Sequence, residues 1–114
     1  MLRQLGAMAR TGQYVAQAAL AIVVAIDRTR FALSDASRAI QSMILTAWSE
    51  GVGSNWVGFL SLPEVNALLG IPGELDVLAI VPFGYPEKPR LKGKKNRKAL
   101  SEVSHRGRFG RPMQ

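Results

Sequence analysis

Cysteine is absent from this 114-residue sequence, and histidine occurs once, at His105. Disulfides, thiolate metal sites and cysteine nucleophiles are therefore excluded, and a histidine-based metal centre has no second ring to draw on. No metal site is expected, and a reducing compartment, the cytoplasm, is the simpler setting. A long apolar run is missing too. Residues 11–26 are uncharged and follow Arg3 and Arg10 in the manner of a targeting signal, but Gln13 and Gln17 interrupt them. The run falls short of the roughly 18 apolar residues of a spanning helix, and no small-x-small cleavage pattern precedes Asp27, so neither a membrane span nor a leader is expected. Acidic residues are few, 8 against 15 Lys and Arg, for a net charge of +7. Ten of those cations lie in residues 88–111 against Glu102 alone, which leaves five basic and seven acidic residues elsewhere. A nearly neutral body with one basic segment fits local anion binding better than a surface that coats nucleic acid.

The apolar fraction is 47% and the charged fraction 20%, values at which a soluble core forms, and the length suits one domain over 1–114. Residues 19–26 form a continuous apolar run centred on Ile22, Val23, Val24 and Ile26, and residues 75–83 repeat it with Val77, Leu78, Ile80 and Val81. Such β-branched runs predict two central strands covered on both faces. Between them, Ser34 or Asp35 can cap a helix whose apolar positions Ala36, Ala39, Ile40, Met43, Ile44, Ala47 and Trp48 recur at three- and four-residue steps, ending at Gly51. Trp48 and Met43 are read as core on that stripe. Ser61 with Glu64 has capping-box spacing, Pro63 suits a first turn, and Gly70 with Pro72 marks an end, which predicts a short second helix. Residues 88–98 read as an irregular basic loop, 99–105 as a brief helix with His105 a surface or capping residue, and 109–114 as a tail.

Four blocks, taken in order, resemble the C-terminal part of the nitroreductase family: the strand 20–27; "SDASRAIQSMILTAW" at 34–48; "EGVGSNWVG" at 50–58 running on to "LPEVNALLGIP"; and "VLAIVPFGYP" followed by "KKNRKALSEVSH". The likeness covers most of residues 14–108. It implies an α+β fold, a mostly antiparallel sheet flanked by helices and incomplete at its N-terminal side, which dimerises around FMN. It also implies hydride transfer from NADH or NADPH through the flavin to a nitroaromatic, quinone or similar small acceptor. The cofactor carries that chemistry, so no catalytic side chain is expected. Two parts of the family's cofactor site fall on matching residues. Trp56, Val57 and Gly58 correspond to positions beside the flavin ring, with a backbone N–H near Val57 facing its N5. Lys95 and Arg97 correspond to a Lys-x-Arg element on the FMN phosphate, where an ammonium and a guanidinium fork suit a dianion.

The family's N-terminal helix with its Arg-Ser-x-Arg-like motif has no counterpart here, which leaves open a true start further upstream, a shortened relative or a degraded copy. The resemblance thus leaves two readings, a flavin oxidoreductase working as a homo-oligomer or with a complementary chain, and an inactive fragment that acts only by association. A basic nucleic-acid-binding module ranks below both, because no aromatic is interleaved between Lys88 and Arg108 to stack on bases. On its own chemistry, Trp56 reads equally as a ring-facing wall or a hydrophobic plug, and residues 88–98 as a solvated stretch or a phosphate grip.

Overall fold

The computed structural model describes residues 1–58, 62–88 and 95–113. In chain order it contains helix α1 (Leu2–Met8), a short 3-10 helix (Gln13–Gln17), strand β1 (Leu20–Asp27), helix α2 (Ala32–Ser49), the two-residue strands β2 (Gly53–Ser54) and β3 (Val57–Gly58), helix α3 (Pro63–Leu69), strand β4 (Leu75–Gly84) and helix α4 (Leu100–Val103). Every strand pairs antiparallel with β4, so the described sheet runs β1, β4, then β2 and β3 together on the far side. The expected α+β class with an antiparallel sheet is what the chain forms.

The two faces of the sheet are covered by different helices, and this explains the unbroken apolar run of β4. Val77 and Ile80 join Leu5, Ala9, Val15, Val57, Leu62 and Val65 under α1 and α3. Leu78, Ala79, Val81 and Phe83 face the other way, onto Ile40 of α2. Alternation would place Val77 and Ile80 on opposite faces. A bulge resolves this: Val24 pairs with Ala79 and Ala25 with Val77, leaving Leu78 as the extra residue. All of residues 77–83 are buried. Removing an Ile or Val there from its packing would cost about 2 kcal/mol or more.

Several expectations are corrected. β1 is only half-buried along its length and stands at one edge of the described sheet, so β4 alone is central. α2 starts at Ala32, ahead of Ser34 and Asp35; Phe31 is its cap, and the Phe31 carbonyl accepts the Asp35 amide, so Asp35 sits in the first turn, where its charge favours the helix dipole. Trp48 is 50% exposed, Leu45 one turn before it 58%, and Leu33 near the start of the helix 50%. Met43, in contrast, packs against the core as expected. α3 opens with Pro63 in its first turn and stops at Gly70 in the left-handed region, φ 65°; Ser61, the expected cap, lies outside the described residues and Leu62 takes the cap position. α1 and the 3-10 helix were not anticipated. α4 ends at Val103, and His105 instead pairs with Pro112 in a bridge.

At the end of β1, Arg28 donates to both carboxylate oxygens of Asp76, at 3.1 and 3.0 Å, and to the Gly73 carbonyl at 3.1 Å. That hydrogen bond holds the Asp76 carboxyl below its ordinary range. The radius of gyration, 17.7 Å, exceeds the roughly 13 Å of a compact 100-residue domain, and residues 95–113 are largely exposed. No described helix is long and apolar enough to cross a membrane.

Candidate functional site at the open sheet edge

Trp56, Val57 and Gly58 lie on the edge opposite β1. β2 and β3 share one register against β4: Gly53 faces Gly84, Ser54 faces Phe83, Val57 faces Ile80 and Gly58 faces Ala79. They are one strand interrupted at Asn55 and Trp56, and Pro82 causes the interruption. The Asn55 amide donates to the Pro82 carbonyl at 3.3 Å, but proline has no N–H to return the bond.

That bond fixes the phase of the ladder. In an antiparallel pair, alternate residues turn their amides toward the partner strand, so Asn55 and Val57 point at β4 while Trp56 and Gly58 point to the open edge. Trp56's amide is taken by the Asn55 side-chain carbonyl at 2.7 Å. The same carboxamide donates to the Tyr14 hydroxyl at 2.9 Å, tying the edge to the 3-10 helix. The Gly58 amide is thus the edge-facing backbone donor of the segment beyond Trp56.

The side chains divide between the two layers. Val57 is buried at 6% exposure under α1 and α3. Its methyls occupy the place where a side chain on Gly12 would come within 2.6 Å. Val57 therefore offers the open edge neither side chain nor amide. Trp56 turns to the α2 side and packs with that cluster, its Nε1 sealed from solvent. Gly58 has no room for a side chain: a Cβ would meet the Leu78 carbonyl at 2.5 Å, the Ala79 Cα at 2.9 Å and the Trp56 Nε1 at 2.9 Å. The bulge and the indole together make glycine the residue that closes against β4.

Lys95 and Arg97 sit in an irregular, exposed segment ahead of α4. Neither joins a carboxylate among the described ion pairs, which are Arg28 with Asp76 and Arg38 with Asp35. Residues 89–94, most of the expected basic loop, lie outside the described residues. Among the described residues no three His, Asp or Glu side chains gather as metal ligands. Asn55, Tyr14 and Pro82 were not singled out from sequence; a proline inside a strand pattern is the signal that marks a broken ladder.

The nitroreductase family model matches residues 4–85 of the chain. The chain belongs to the nitroreductase family. A protein of Archaeoglobus fulgidus designated NADH dehydrogenase/NAD(P)H nitroreductase is 32% identical over 97 residues, 76% of this chain and 56% of that protein. Among solved structures, a protein of Bacteroides thetaiotaomicron with the same designation superposes with a TM-score of 0.78 at 26% identity, covering 95% of this chain and 66% of that one. The NADPH:FMN oxidoreductase of Vibrio harveyi, in complex with NAD+, gives a TM-score of 0.74 at 26% identity over 95% of this chain and 54% of that one. The chain spans about half the length of the curated relatives it matches. Within this nitroreductase-family chain, residues 56–58 fall inside the matched stretch, while Lys95 and Arg97 lie beyond it.

Proposed function

We propose that this chain contributes the ring-side wall of an FMN site in a flavin oxidoreductase, one that takes hydride from NADH or NADPH and delivers electrons to a nitroaromatic, quinone or similar small acceptor. The observation that carries the reading is the open strand edge at residues 56–58 in a chain of the nitroreductase family. The name of the Vibrio relative, an NADPH:FMN oxidoreductase, supports the cofactor.

Bound FMN supplies the redox chemistry, and the protein's part is to bind, orient and shield it. The donor set present fits that part. The Gly58 amide offers a hydrogen bond along the edge, Asn55 holds the preceding turn rigid, and Trp56 fills the α2 side so that water is kept from beneath it. Lys95 and Arg97, unpaired with any carboxylate among the described residues, suit the phosphate. We assign the other side of the site to an associated chain, a second copy or a complementary one. The exposed Leu33, Leu45 and Trp48 on α2 support such association. The lack of cysteine suits a cytoplasmic setting.

The test is purification of the full chain with added FMN, followed by gel filtration and anaerobic addition of NADH or NADPH. Flavin absorbance that travels with the protein and bleaches with nicotinamide supports the proposal. Protein that elutes colourless after reconstitution contradicts it, and colour without bleaching restricts the chain to binding.

A further inference from the structure

The arm beyond α4 folds back on itself in a way the flavin reading does not use. His105 bridges to Pro112, the Arg106 amide donates to the Arg111 carbonyl at 2.8 Å, and the Met113 amide donates to Ser104. Gly107 and Gly110, at φ 73° and 84°, make the reversal, a conformation that side chains resist. The His105 and Phe109 rings meet edge to face at 4.4 Å across it. This register sets Arg106 directly opposite Arg111, and both line one cleft of about 570 Å³ with Pro112 and Met113. Two like charges facing each other across a ladder destabilise it. No acidic residue lies between Ser104 and Met113, and neither arginine joins a described ion pair. The turn is thus built so that two guanidinium groups share a space wanting a counter-charge.

We propose that this cleft binds the phosphoryl end of a small organic phosphate, at a site separate from Lys95 and Arg97. Guanidinium forks match phosphate oxygens in pairs, and the apolar Pro112 and Met113 wall suits the organic part of such a ligand. The inference is independent of whether FMN binds at the sheet edge.

His105 is the chain's single histidine, so its ring gives one set of resonances inside the hairpin. The full chain is titrated with inorganic phosphate and with pyrophosphate at constant ionic strength, and the His105 ring shifts are followed by NMR. Saturable movement is expected, tighter for pyrophosphate. R106Q and R111Q should each weaken it about tenfold, the worth of one charge-assisted contact. K95Q/R97Q should leave it in place. Retention of the His105 to Phe109 contact shows that each variant keeps the hairpin. A response that never saturates, equal loss in K95Q/R97Q, or a His105 signal moved by a single-stranded oligonucleotide but by neither phosphate would overturn the proposal.

Discussion

Gly58→Ala isolates one steric claim, since the residue is not in the left-handed region and only space is at issue. A Cβ there lies 2.5 Å from the Leu78 carbonyl oxygen and 2.9 Å from the Ala79 Cα, both backbone atoms of the central strand. Relief requires the edge strand or the bulge to move by nearly 1 Å, since ordinary contact begins near 3.4 Å. Overpacking of this kind costs about 3 kcal/mol at the upper end. The loss of chain freedom in the unfolded state returns about 0.7 kcal/mol, leaving a net destabilisation of about 2 kcal/mol. At an m-value of roughly 1.5 kcal/mol/M in urea, the unfolding midpoint should fall by about 1.5 M. Gly73→Ala is the control: a Cβ there meets nothing within 4 Å, so the same substitution should be neutral or stabilise by about 0.5 kcal/mol. Tryptophan fluorescence in urea reads both, because Trp56 touches the altered position. Equal midpoints for the two variants would refute the claim that β4 and Trp56 exclude a side chain at residue 58.

Val57→Ala removes two buried methyls from the α1 and α3 layer and should destabilise by about 2 kcal/mol, read as a lower urea midpoint. Asp76 is held below its ordinary range by Arg28, so its contribution to stability is present above the unfolded value near 4 and is lost as pH falls through the folded one. Asp76→Asn should therefore lower the midpoint near neutral pH and converge with the parent in acid; a difference constant with pH would contradict this. Replacing Leu45 and Trp48 by Ser should reduce self-association in sedimentation while the circular dichroism spectrum is kept, because both side chains are half or more exposed. Lys95→Gln with Arg97→Gln should raise the FMN dissociation constant by about tenfold per group.

The main strands were legible because residues 20–27 and 75–84 concentrate β-branched residues, a pattern that needs cover on both faces. The rank of each was not. An apolar run reads the same at the centre of a sheet as at an edge, and only the pairing shows that β1 is the half-buried one. Helical spacing likewise found the stripe of α2 but placed Trp48 in the core. Periodicity reports that a face is apolar without saying whether this chain or another covers it. α1 and the 3-10 helix escaped because Arg3, Gly6, Arg10 and Gly12 break any simple period; Gly6 and Gly12 are packing choices, since a Cβ on either would strike neighbours within 3 Å. β2 and β3, at two residues each, are too short to leave a pattern at all. For the candidate site, the family likeness pointed to residues 56–58 as an expectation, but which amide faces outward depends on a ladder phase set by the bond from Asn55 to Pro82. No residue-type pattern encodes that.

The central claim is that the outward amide at Gly58 and the cations at 95 and 97 serve one flavin. Titration of FMN into the isotopically labelled chain, followed by proton–nitrogen correlation spectra, tests it most directly. The Gly58 amide and the Arg97 side-chain N–H signals are expected to move along one saturating curve, with the Val57 amide, turned toward β4, moving least of the three neighbours at 56–58. Signals at Gly58 that stay fixed while FMN saturates Arg97, or two curves with different midpoints, would contradict it.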